Sequence, residues 1–120
     1  MKDILNFRAW FDGRFIYKSL CDSNVYTEDN KCICPANTLP DLPWEQCTGL
    51  KDKNGKLIYE GDIVQDVEDP LYVSVVMWDE IDLRWKTKGR GYEIVGSVYP
   101  ENHIVIGNIH ENKELLNEMR

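Results

Sequence analysis

"TGLKDKNGKLIYEGDIV", residues 48–64, decides how this chain is read. Leu50 leads into the polar stretch 51–56, where Asn54-Gly55 supplies the positive-φ positions that a tight hairpin turn requires. Residues 57–59 return as a strand, with Leu57 and Tyr59 expected to face inward. Glu60-Gly61-Asp62 breaks the run and "IVQDV" resumes it. A glycine inside a strand pattern marks a bulge or a sharp bend. "EGDIV" is therefore expected at a barrel corner, where the chain passes from one sheet into the next. The segment is strongly articulated, yet it holds no obvious catalytic side chain.

On its carboxyl-terminal side the pattern continues in short strands. "LYVSVVMW" (71–78) has the β-branched and aromatic density of a core strand. "LRWKT" (83–87), "YEIVGSVY" (92–99) and "HIVIGNI" (103–109) follow at turn-separated intervals. The period changes in the last residues, "ENKELLNEMR", which read as a short helix. Asn112 is placed to cap it, and Leu115 and Met119 fall on one face at i, i+4. On the amino-terminal side, "LNFRAW" alternates Leu5, Phe7 and Ala9 against Asn6, Arg8 and Trp10. Asp12-Gly13 turns the chain and "RFIYKSL" returns it, predicting a β-hairpin over residues 5–20. Residues 21–46 are rich in Asp, Asn, Ser and Pro, with only a brief "VYT" of strand character. Pro35, Pro40 and Pro43 forbid a long regular element there. An irregular excursion anchored by Trp44 and Leu42 is expected.

Many short strands and one terminal helix predict a mainly β fold, a small all-β barrel. At 120 residues one domain is expected over 1–120. Its parts are an N-terminal hairpin plus excursion (1–47), a barrel (48–110) and a helix (111–120). No apolar run approaches the roughly 20 residues that span a bilayer, and charges and aromatics interrupt the start before a signal core develops. The expected setting is cytoplasmic, with no membrane partner.

The net charge is −7, which disfavours whole-protein attraction to nucleic acid. From Glu60 to Asp82 there are eight acidic residues and no Lys or Arg. That run reads as a solvated face, with docking of a basic partner as the alternative. The four cysteines are spaced C-x10-C-x-C-x12-C, without the paired knuckles that wrap zinc. Cys32 and Cys34 form a weak alternative metal pair, because neither His103 nor His110 has a supporting spacing. Free thiols, no metal and no cofactor are expected. Nucleophile–base constellations are thin, and no phosphate-binding or dinucleotide fingerprint is present, so no enzymatic activity is expected.

One patch runs against the net charge. In "LRWKTKGRGY", Arg84, Lys86 and Lys88 alternate with Trp85 and Thr87, and Arg90 follows. A strand would put the three cations on one face. Cations beside the aromatic Trp85 can track a single-stranded nucleic acid and stack its bases. The favoured reading is a solvated side of an amphipathic strand with Trp85 in the core, since alternation alone produces it.

Taken together, these blocks resemble the YopX family of bacteriophage and prophage proteins. "FRAW" with the following "GRFIY" is similar to its amino-terminal hairpin, and "TGLKDKNGKLIYEGDIV" to its most characteristic motif. "VVMWDE" fits its Val-x-Trp strand, and "VIGNIHENKELL" resembles its closing signature. Cys47 stands where the family usually has an aromatic, Lys113 where it often has Pro, and residues 21–46 offer no block that can be placed in it. The resemblance implies a small β-rich phage protein with an SH3- or OB-like barrel and an added amino-terminal part, homo-oligomeric, with no established reaction, cofactor or catalytic residue. The shared positions Gly49, Asn54, Gly55, Gly61, Asp62 and Gly107 are types that shape a backbone. A non-enzymatic accessory protein that self-assembles and binds a host or phage protein is the leading expectation. A single-strand-binding barrel comes second, and a cysteine- or metal-dependent enzyme third.

Overall fold

The computed structural model describes residues 6–19, 24–29, 31–35, 39–89, 94–112 and 114–115. The chain divides into two compact units, Met1–Gly49 and Leu50–Arg120. The strands are antiparallel throughout.

In the first unit, β1 (Asn6–Phe11) and β2 (Arg14–Ser19) form the expected hairpin, in register from Asn6↔Ser19 to Phe11↔Arg14. Asp12 and Gly13 both take positive φ (54° and 80°), the two-residue turn whose twist matches a hairpin. Ala9 and Ile16 face each other across the pair and are buried, together with Val25 of β3 (Asn24–Tyr26). The opposite face is covered as well. Trp10 and Phe15 pack edge to face at 4.9 Å, and the Arg8 guanidinium lies 4.1 Å from the Phe15 ring centre. Arg8, expected on the polar side of the alternation, is only 4% exposed, because it is buried against Glu45 and these rings.

The excursion is less irregular than its composition suggested. Residues 24–35 hold β3 and β4 (Cys32–Pro35), which pair around a turn closed by Thr27 N–H donating to the Lys31 carbonyl. Leu39, Leu42 and Trp44 pack on the Ala9–Ile16–Val25 cluster, so the two anchors read from sequence hold. β5 (Glu45–Lys51) then pairs with β1, giving the strand order β4-β3-β2-β1-β5.

β5 runs on into the second unit, where its end pairs with β6 (Leu57–Tyr59). β7 (Asp62–Asp66), β8 (Val73–Asp79), β9 (Arg84–Lys88), β10 (Ile94–Ser97) and β11 (His103–Asn108) form a second sheet in the order β10-β9-β8-β7-β11. Ile58, Val64, Val76 and Val98 form its core, with Leu50, Trp85 and Val105 against them. Ile58 is fully buried, Tyr59 buried and Leu57 only partly so, which shifts the inward position of β6 from Leu57 to Ile58.

One expectation needs revision. β10 and β11 stand at the two edges of the second sheet, so the described strands form no closed barrel. Of the terminal helix at 111–120, helical backbone is described at Glu114 and Leu115, and Met119 lies outside the described residues. No helix among the described residues is long and apolar enough to cross a membrane.

Candidate functional surface

The segment that decided the reading is built by carboxylates. Asp52 is buried at the end of β5, and its Oδ1 accepts the backbone N–H groups of Asn54 (2.9 Å) and Lys56 (2.8 Å). Gly55 N–H donates to the Asp52 carbonyl at 2.9 Å, an i to i+3 closure with Asp first and Gly last. Gly55 takes φ 84° and Asn54 stays at negative φ. The turn is therefore not the two-residue Asn-Gly form, because the Asp52 side chain organises a longer loop in which only the last residue needs glycine.

The same carboxylate reaches across the fold. Asp52 Oδ2 accepts Val105 N–H at 2.9 Å, and Lys53 N–H donates to the His103 carbonyl at 2.9 Å. Both contacts fall on the side of β11 away from β7, so the loop covers part of a sheet edge that would otherwise offer free backbone groups. Gly61 sits at φ 85°, its N–H donates to Val76 O and its carbonyl accepts from Ile109 N–H. Asp62, buried beside it, accepts Tyr59 N–H at 2.8 Å. Gly49 takes φ 82° within β5.

The closing signature works in the same way. Asn108 Oδ1 accepts His110 and Glu111 N–H groups, both at 3.0 Å, and its Nδ2 donates to Glu111 Oε1. As a helix cap, Asn112 would accept backbone N–H groups of the residues that follow it. Its Oδ1 instead accepts Asn108 N–H behind it at 3.2 Å, while its carbonyl accepts Leu115 N–H. Gly107 makes room for this: a Cβ there would lie 2.5 Å from Asn112 Oδ1.

The basic strand is placed on β9. Trp85 packs against the core and meets Trp78 edge to face at 5.1 Å. Lys86 is buried, its Nζ 2.7 Å from Asp79 Oδ2 and 2.5 Å from Asp82 Oδ2. These contacts hold Lys86 above its ordinary pKa, Asp79 contributing most. The Asp79 carboxyl is held below its own, first by Lys86 and then by the Ile81 N–H. Arg84 is exposed, 4.0 Å from Asp82, and Lys88 is half-buried. Arg90 lies outside the described residues. The alternation does put Arg84, Lys86 and Lys88 on one face, but Lys86 is engaged with two carboxylates. Sequence reading missed these partners because they lie in the preceding acidic run.

Cys32 is exposed and Cys34 half-buried on β4, the latter packed on the first unit's core. Cys47 is buried, its Sγ accepting Gly49 N–H at 3.5 Å. Among the described residues no three His, Cys, Asp or Glu side chains are grouped to hold a metal. His103 is buried, and its Nδ1 accepts Tyr99 N–H at 3.1 Å. Burial pushes its pKa below the ordinary value, and Asp66 and Glu101 pull it partly back.

A comparison with curated proteins gives no match. The family model described as YopX protein matches residues 6–117, nearly the whole chain and including every motif just located. The chain belongs to the YopX family.

Proposed function

We propose that the chain is a non-enzymatic phage or prophage accessory protein that self-assembles and acts by binding, in the cytoplasm of a bacterial host. One observation carries the reading. The polar residues of the family motifs, Asp52, Asp62, Asn108 and Asn112, are occupied in turns and strand edges rather than converging on a cleft. The conspicuous exposed groups are instead large apolar side chains on loops, with Ile81 91% and Leu83 70% exposed. Such side chains gain most by being covered by another protein surface.

Light scattering of the purified chain at micromolar concentration tests this. A mass above that of one chain is expected, and a monomer at every concentration rejects self-assembly. The single-strand-binding alternative draws less support, because Lys86 would have to leave Asp79 and Asp82 to meet a phosphate. Salt-sensitive binding of single strands that is lost on Lys88→Glu would favour it.

A further inference from the structure

Asn54-Gly55 is the only Asn-Gly step in the chain, and it is a reactive pair as well as a turn. Glycine lacks the Cβ that shields a peptide nitrogen, so the Gly55 nitrogen can approach the side-chain amide of the residue before it. Nothing at the tip of the β5–β6 loop obstructs this. Asn54 and Gly55 are both exposed, and the space around the position of a Gly55 Cβ is open to 4 Å. Among the described residues the Asn54 side chain makes no hydrogen bond. Its backbone N–H alone is engaged, with Asp52 Oδ1 at 2.9 Å.

The chemistry open to this pair needs no partner but water. The Gly55 nitrogen gives up its proton and bonds to Asn54 Cγ. The Cγ–Nδ2 bond breaks, and Nδ2 leaves as ammonia with that proton. Water then opens the cyclic imide at either carbonyl. Opening at the main-chain carbonyl leaves isoaspartate, in which the chain runs through Cβ and Cγ, and opening at the other leaves aspartate. Water is consumed, ammonia is released, and nothing is oxidised or reduced.

The turn guards the nitrogen that has to react. Gly55 N–H donates to the Asp52 carbonyl at 2.9 Å, which holds its proton in place. The Asp52 carboxylate accepts the amides on either side, Asn54 at 2.9 Å and Lys56 at 2.8 Å. Its negative charge therefore lies beside a nitrogen that must become an anion, which disfavours the loss of the proton. Asp52 is buried and its other oxygen is fixed on Val105 N–H, so the guard is anchored to β11.

We propose that Asn54 is a modification site gated by Asp52: it deamidates from the opened turn, and conversion to isoaspartate keeps the turn from closing again. The added methylene carries the Gly55 and Lys56 amides away from the Asp52 oxygens that receive them. The new carboxylate at position 54 repels Asp52. The loop then no longer covers β11 at Val105 and His103, and backbone groups of that edge are freed. Residues 48–64 thus carry a one-way change from a covered edge to an open one.

The test follows the full-length chain and a blocked peptide of residues 48–60 side by side in mildly alkaline buffer. Peptide mapping by mass spectrometry reads the amide-to-acid mass gain at Asn54, and an isoaspartate-specific methyltransferase reads the product. If the closed turn guards Gly55, the rate follows the open fraction, and the wild type should convert more than about tenfold slower than the peptide. Asp52→Ala should raise the rate by about tenfold, toward that of the peptide. Asp52→Asn, which keeps an acceptor oxygen and loses the charge, should fall between the two. Val76→Ala, which leaves a cavity in the core of the same unit, should stay at the wild-type rate. In converted wild-type chain the Val105 amide should exchange with solvent faster than before conversion. A wild type that converts as fast as the peptide overturns the gate, as do Asp52 variants that convert no faster than the wild type. Equal acceleration in Asp52→Ala and Val76→Ala overturns it too, since unfolding of the unit rather than opening of the turn would then expose Gly55. An unchanged Val105 amide after conversion overturns the loss of edge cover.

Discussion

Asp52 Oδ2 accepts the backbone N–H of Val105 at 2.9 Å, across 53 residues of sequence. The other oxygen of the same carboxylate holds the loop that follows it, through Asn54 and Lys56. One buried side chain therefore closes a hairpin and covers the edge of β11. Asp52→Ala should destabilise the chain by about 2 kcal/mol, because the Val105 N–H loses its acceptor in a partly buried position. Native-state hydrogen exchange checks this directly: the Val105 amide should exchange faster, and an unchanged rate would mean the contact carries no weight.

Arg8 and Glu45 make a prediction of opposite sign for single and double changes. Arg8 Nε lies 2.9 Å from Glu45 Oε1, with side chains 5% and 11% exposed. Removing one partner leaves a buried charge, so Arg8→Met or Glu45→Leu alone should cost about 3 kcal/mol. The double variant should recover much of the loss, because the desolvation of both charges disappears with them. Chemical denaturation of the three variants measures the cycle. A double variant as unstable as the sum of the singles would show that the pair is not coupled.

His103 sets an acid limit. Burial lowers its pKa from 6.5 in the folded chain, so the unfolded chain binds the proton first as pH falls. Its contribution to stability is complete above about 6.5 and declines as pH drops toward the folded value, by at most about 1.4 kcal/mol per pH unit. Protonation also turns Nδ1 from an acceptor into a donor facing the Tyr99 N–H. Melting temperature measured from about pH 7 down to about pH 5 should fall in the wild type and fall less in His103→Asn, which keeps an acceptor without the titration. Parallel profiles would remove His103 from the account.

The Lys86 network works over a wide window. The Asp79 pKa is lowered from 3.8, so its stabilisation is present above that value and lost as pH falls through the folded one. The Lys86 pKa is raised from 10.5, so its stabilisation is present below that value and lost as pH rises through the folded one. Neutral pH leaves both intact. Lys86→Met should lower the melting temperature at neutral pH, with a smaller difference in strong acid, where Asp79 is protonated. An equal difference at both pH values would contradict the pairing.

Gly107 has no room for a side chain. Gly107→Ala puts a Cβ 2.5 Å from Asn112 Oδ1, which should displace Asn112 from Asn108 N–H and cost about 1 kcal/mol. Asn112→Ala should produce a similar loss, and the double change should cost little more than either alone. Thermal melts of the three variants decide this.

Much of the fold was legible from local patterns. Asp12-Gly13 placed the first hairpin, and the β-branched runs located β8 and β11 within a few residues. The Thr48–Val64 motif is legible as structural, and its pattern points first to Asn54. The residue that organises the turn is Asp52, for which an Asp three residues before a Gly was the available signal. Closure into a barrel was not legible, because it depends on which edges pair, and periodicity reports only that strands exist. Alternation assigns Arg84, Lys86 and Lys88 of β9 to one face, but the solvated side expected there does not hold at Lys86, which is buried. Its chemistry was hidden, because burial of Lys86 depends on carboxylates across the hairpin that no short window joins. Arg8 was misread for a similar reason: alternation assigns faces, and here both faces of β1 are covered.

Self-assembly is the central claim, and the mass of the wild-type chain in solution tests it most directly. Multi-angle light scattering across a dilution series into the low micromolar range should give a mass above 14.0 kDa that falls on dilution. A constant 14.0 kDa at every concentration would contradict it.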